Sequence, residues 1–162
     1  MTELNRIADQ MKRALEGPAW SGPSLMETLH DVSAAQAAEK LAGTHSIWEI
    51  VLHIDAWKTI VRRRIEGELL PDPAPHEDWP PVSETSPEAW ALLMEQMAIN
   101  NRLLQSTVVE LSEERLWDTV PGKDYSLYVM LHGSVQHALY HGGQIAVLKR
   151  IVQTQSASPL VA

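Results

Sequence analysis

Apolar residues recur at three- and four-residue intervals along most of this chain, the spacing of helices that each bury one face. Leu4, Ile7, Ala8, Met11 and Leu15 form the first such stripe and Gly17-Pro18 stops it, which predicts a helix from Thr2 to Glu16. The turn-forming stretch Ala19-Trp20-Ser21-Gly22-Pro23 follows. Ser24 with Glu27, and Ser33 with Gln36, then stand at capping-box spacing and predict two short helical pieces. A third box, Ser46 with Glu49, opens a long helix. Its inner side is marked by Ile47, Ile50, Val51, Ile54, Trp57, Lys58 and Val61, with His53 on the edge of the stripe. That helix should end around Gly67, because Pro71, Pro73 and Pro75 follow too densely for regular structure. The loop runs on through Trp79 to Pro81, and a loop of this length in a compact domain is either disordered or functional.

Ser86-Pro87-Glu88 is the asymmetric signature of a helix start. Trp90, Leu93, Met94, Met97, Leu104, Val108 and Leu111 line one face of the helix it opens, over about 37 Å at 1.5 Å per residue. A short helix or turn is expected from Ser112 to Val120, and a last long helix from Ser126 to Val152. Residues 153–162, which include Pro159, read as a frayed polar tail. No alternating pattern of useful length marks a strand. The expected fold is therefore all-α: a single domain over residues 1–162, built as an antiparallel four-helix bundle with short accessory helices and a long proline-rich loop.

Composition narrows the partners. A net charge of −8 argues against nucleic acid, since phosphate binding draws on clustered Lys and Arg. The one basic run, Arg62-Arg63-Arg64, fans out around a helix and reads as a solvated face. No stretch approaches the roughly 18 apolar residues of a membrane span, and the first residues lack a signal-peptide core, so a cytoplasmic protein without a membrane partner is expected. Cysteine is absent, which leaves imidazole and oxygen as the side-chain ligands for any metal.

Histidines supply the candidate chemistry. His137 and His141 are four residues apart and share one helix face with Met130, Gln144 and Leu148, within roughly 60° of each other, where a core would hold Leu or Val. His132 points about 140° away from His137 by the same rotation. Paired buried imidazoles are costly unless something uses them, and a divalent ion would, given a third ligand from another helix. His53 is that candidate, whereas His30, His45 and His76 fall in capping or loop regions. The plainer alternative is three core histidines hydrogen-bonded to side chains or water. Gly142-Gly143, mid-helix, suggests a need for close packing or space. The segment lacks the glutamate that follows the first histidine in zinc proteases, which removes a protease's general base. Asp55, Glu77, Asp78 and Tyr140 are the candidate acids and bases, each also readable as a solvated surface group. Gln144 is placed either to orient a ligand or simply to pack; Trp57 either walls a pocket or belongs to the core; the loop carrying Trp79 is a candidate cover.

The run from His137 through Ala138, Leu139, Tyr140, His141, Gly142, Gly143 and Gln144 to Arg150, with His53 between Trp48 and Trp57, resembles the DinB/YfiT-like family of metal-binding four-helix bundles. The resemblance extends over nearly the whole chain, from the stretch at Trp20 to Leu25 onward. It implies a metal site made of one histidine from the second long helix and two from the last, here His53, His137 and His141. It also implies a range of activities: thiol-dependent transferases or isomerases that activate a low-molecular-weight thiol, hydrolases, and members with no assigned reaction. The leading expectation is a metal-dependent thiol S-transferase or hydrolase, holding zinc or nickel, or iron, and acting on a small-molecule substrate. Its catalytic candidates are Asp55, Tyr140 and Gln144. The alternative is a non-catalytic, metal-stabilised binding or stress-response module. A homodimer is expected in either case.

Overall fold

A computed structural model describes residues 1–157, and all regular secondary structure among them is helical. The elements are α1 (Glu3–Glu16), α2 (Leu25–Leu29), α3 (Ala34–Ala38), α4 (Ile47–Ile65), α5 (Pro75–Asp78), α6 (Pro87–Val109), a 3₁₀ turn at Glu113–Trp117, and α7 (Leu127–Ala157). No helix among the described residues is long and apolar enough to cross a membrane.

The starts follow from local hydrogen bonding. A helix's first N–H groups have no partner inside it, and a short polar side chain just before the helix supplies one. Thr2 does so for α1, its hydroxyl accepting from the Asn5 N–H at 3.2 Å, which is why the helix proper begins at Glu3. At α4 the Ser46 hydroxyl accepts from the Glu49 N–H at 3.1 Å and the Glu49 carboxylate accepts from the Ser46 N–H at 2.7 Å. The same reciprocal pairs open α2 and α3. Gly17, at φ 87°, ends α1 with its N–H on the Arg13 carbonyl, a backbone turn that a Cβ would strain.

Two expectations need correction. The proline-rich stretch is not wholly irregular: Pro75–Asp78 forms one helical turn, α5, with the Ala74 N–H donating to the Glu77 carboxylate at 2.9 Å. The tail expected from residue 153 begins later, because α7 continues to Ala157. No glycine or proline interrupts the chain there, and Gln153 donates to the carbonyl and carboxylate of Asp31 while the Thr154 hydroxyl donates to the Arg150 carbonyl. Pro159 and the rest of that tail lie outside the described residues.

The four long helices close a ring, α1 against α6 and α7, and α4 against the same two. Two apolar clusters fill it. One gathers Leu25, Trp48, Ile50, Trp90, Met97 and Ile145; the other gathers Ile7, Ile65, Leu104, Leu127 and Leu131. On each of α4, α6 and α7 the clusters are separated by a short stretch of chain, and into that junction fall the buried polar residues Lys58, Asn101 and His141, with His53 beside them. Buried polar groups need partners of their own, and most of those on the long helices gather at this level between the two apolar clusters, with Arg64 further along α4.

Candidate metal centre

α4 delivers His53 and α7 delivers His137 and His141 to the same point. Their ligand nitrogens all lie within 4.8 Å of one another, positioned to bind a divalent metal ion. His53 Nε2 stands 2.9 Å from His137 Nε2. Two of the three rings are fixed from behind. His53 Nδ1 donates to the Asp78 carbonyl at 2.6 Å, and His141 Nδ1 donates to Gln144 Oε1 at 2.7 Å. Each bond assigns the proton to Nδ1 and leaves the Nε2 lone pair facing inward, the tautomer a metal ligand needs. His137 then carries its proton on Nε2, toward His53, until an ion takes that place. Zinc with imidazole ligands at about 2.0–2.1 Å requires ligand nitrogens a little over 3 Å apart, so the group fits with small adjustments.

The electrostatics agree. Burial, then the adjacent imidazoles of His141 and His53, then Lys58, push His137 down to about 3; burial also lowers His141, against the opposing bond from Gln144. Both rings are therefore neutral at pH 7, the form that binds metal.

Aromatic rings pack the rest of the site. Trp79 lies flat on His53, ring centroids 4.0 Å apart, and His45 lies flat on the other side of Trp79 at 3.7 Å. Trp57 donates its indole N–H to the Asp78 carboxylate at 2.7 Å and sits 5.8 Å from the His137 ring. Asp78 thus holds His53 through its backbone carbonyl and Trp57 through its carboxylate, which also stands 3.3 Å from His53 Nδ1. Trp79, from the proline-rich loop, packs against His53, Trp57 lines the adjoining cavity, and Gln144 accepts from His141.

Two cavities adjoin at His141, and the first of them is also lined by His53 and His137. One, of about 500 Å³, runs beside α4 from His53 past Trp57 and Lys58 to Arg64; the other, of about 730 Å³, opens between His45, Trp79 and Gln144. His141 and Tyr140 border both.

Residues 20–145 match the DinB superfamily, a span that includes all three histidines. The chain belongs to the DinB superfamily. Neither a curated protein nor a solved structure matches it. This DinB-superfamily chain carries one of the three histidines on α4 and two on α7.

Other expectations fare differently. Asp55 is turned away from the site: both its oxygens accept from Asn100 on α6 at 2.9 Å, since two residues past His53 is more than half a helical turn round. Glu77 caps α5 rather than facing the histidines. Tyr140 stands beside His141, ring centroids 5.0 Å apart, and is largely exposed. His132 packs against Tyr128 and approaches Glu3, away from the other two α7 histidines as its rotation requires. Gly142 and Gly143 are not needed for close packing, because a Cβ at Gly142 would only touch Leu25 at 4.0 Å and one at Gly143 would meet nothing within 4 Å. The basic run is split: Arg62 and Arg63 pair with Glu66 and Glu68 at the surface, but Arg64 is 1% exposed. His45 had no sequence signal beyond its loop position, and it joins the site by stacking on Trp79 and lining the second cavity.

Proposed function

We propose that this protein holds a divalent metal ion on His53, His137 and His141 and is a metal-dependent thiol S-transferase. A divalent ion on three imidazoles, with positions left open, lowers the pKa of a thiol or of water to near neutrality. The observation that carries the reading is a pair of cavities that share His141 and Tyr140 as a border, the first also lined by His53 and His137, which offers a thiol and an acceptor one chamber each. The chain's own residues contribute the rest. Asp78 and Gln144 fix two rings, Trp57 and Trp79 exclude water around them, and the Tyr140 hydroxyl, at the border of both cavities, is placed to hold a proton near the reacting atoms. A hydrolase would use the same centre with water as nucleophile and would need only one of the two chambers.

The framework in this reading is an antiparallel four-helix bundle. It is supported by the ring of contacts and by the opposed order of the pairs His53 with His137 and, later on α4, Arg64 with Tyr125 just before α7. Zinc or nickel is the favoured ion and iron also suits imidazole. We place the protein in the cytoplasm, where a low-molecular-weight thiol is available, with no nucleic acid or membrane among its partners. We also read it as a homodimer, in line with the exposed apolar stripe Tyr140, Val147 and Ile151 on α7; sedimentation at micromolar concentration checks this.

A second reading has its own observation. The histidines join α4 to α7 at the junction of the two apolar clusters, where an ion would steady the interior without catalysing anything. Elemental analysis of untagged protein, followed by assay of thiols against electrophiles and esters, separates the readings. The transferase predicts about one metal per chain and turnover that requires both thiol and acceptor. His141→Ala should lower metal content at least about tenfold and abolish that turnover. Turnover surviving in the metal-free variant would sink the proposal, and turnover without thiol would replace it by hydrolysis.

A further inference from the structure

Arg64 is the buried charge that the metal centre leaves unexplained. It lies eleven residues beyond His53 on α4, which returns it to within about 20° of the same face and some 16 Å further along the axis. Helical side chains lean toward the N-terminus, so the guanidinium reaches back toward the histidines. Its central carbon is 5.8 Å from the Trp57 ring, and that ring is 5.8 Å from the His137 ring. The guanidinium is therefore within about 12 Å of His137, in the wall of the same cavity.

Its charge is poorly matched. The hydrogen bonds from Arg64 go to neutral oxygens, the Tyr125 hydroxyl and the Pro71 carbonyl, both at 3.2 Å. The carboxylate in ion-pair range among the described residues, Asp72 at 3.7 Å, is 84% exposed and already hydrogen-bonded to Lys123. Arg64 Nε is buried and has no hydrogen-bond partner. Lys58 adds a second buried cation to the cavity wall, and the one carboxylate residue in that wall, Asp78, is tied to Trp57 at the histidine end. Between the two ends the lining is mostly apolar, with Ile54, Trp57, Val61, Val129 and Met130, and Ser134 and the Lys58 ammonium are its polar members.

We propose that Arg64 binds the carboxylate of a substrate whose apolar body fills the α4 cavity and whose reactive end reaches the three histidines. Arg64 Nε–H and a second N–H on the same edge form a fork that matches a carboxylate, and one fork suits one anionic group. The net charge of −8 disfavours anions of higher charge, which makes a monocarboxylate the fitting class. The proposal rests on the transferase reading for the reactive end, whereas the carboxylate site itself requires no metal.

The test measures binding of hexanoate, hexan-1-ol and hexyl phosphate by calorimetry and tryptophan fluorescence, with metal content assayed in parallel, on protein as isolated and after chelation. Hexanoate should bind at least about tenfold more tightly than hexan-1-ol in both states. Arg64→Met should erase the preference and Arg64→Lys should keep part of it, with metal content unchanged in both. Equal binding of hexanoate and hexan-1-ol by the unaltered protein overturns the proposal, and that comparison requires no variant to fold. So does a preference for hexanoate that vanishes on chelation and survives Arg64→Met, since the carboxylate would then be on the metal. Tighter binding of hexyl phosphate overturns the assigned class. If hexanoate is preferred but no metal is found, the carboxylate site stands and the transferase reading falls. If metal is found but hexanoate is not preferred, the carboxylate site falls and the metal centre stands.

Discussion

α4 takes part in two buried polar groups at nearly the same level, one facing α6 and one facing α7, and they differ in how their hydrogen bonds close. Toward α6, the Lys58 ammonium donates to Asn101 Oδ1 at 2.9 Å and Asp55 accepts from Asn100, so these donors meet acceptors and the charges partly offset each other, although Asn101 Nδ2 is buried without a partner. Burial lowers Lys58 to about 8 against the pull of Asp55, and it still carries its charge at neutral pH. Toward α7, three rings turn the same kind of atom toward one point, and two of them are braced from behind to do so. Paired donors and acceptors hold helices together. Imidazole nitrogens gathered at one point, two of them braced from behind, form a group that a metal ion can occupy.

Several substitutions can break or sharpen that contrast. Gln144→Ala removes the acceptor behind His141 and should weaken metal binding about 10- to 100-fold, read by competition with a chelator, with unfolding of the metal-free protein little changed. Asn101→Ala should do the reverse. It leaves the buried Lys58 ammonium without its hydrogen-bond acceptor, costs about 1–3 kcal/mol in urea denaturation, and leaves metal content alone.

Acidification acts on the histidine group through the folding equilibrium. The folded, metal-free protein keeps His137 neutral down to about 3 and lowers His141, whereas in the unfolded chain both titrate near 6.5. The unfolded state therefore takes up protons that the folded state refuses, so this contribution is intact above pH 6.5 and is lost progressively as pH falls toward 3. Thermal unfolding in chelator across that range should decline less steeply for His137→Leu than for the unaltered protein. The smallest effect is expected at Gly143, where a methyl group meets nothing within 4 Å. Gly143→Ala should stabilise α7 by about 0.5–1 kcal/mol in the same denaturation assay.

The parts of the molecule legible in the sequence are those governed by short-range rules. Ser24, Ser33 and Ser46 announce their helices because capping depends on a partner three residues away, and His53, His137 and His141 announce theirs because helical rotation fixes which residues share a face. The same rotation, applied to Asp55 and Arg64, would have placed the first outside the histidine group and the second inside the wall; charge alone suggested the opposite for each. Asp78 and the Trp79 loop stand out in the sequence as candidates, but their contacts with His53, and the place of His45 beside them, are not legible there, for a different reason. The irregular segment 66–74 parts α4 from α5 and so Asp78 from the ring it orients, and no periodicity runs through a proline-rich connection to show where it returns.

The stack of His45, Trp79 and His53 has a mechanical outcome. The same imidazole is gripped by the indole across its face and by the Asp78 carbonyl at its edge, so the segment 75–79 and the ring of residue 53 form a single latch. Anything that reorients that ring must also displace the segment, and anything that prises the segment away frees the ring.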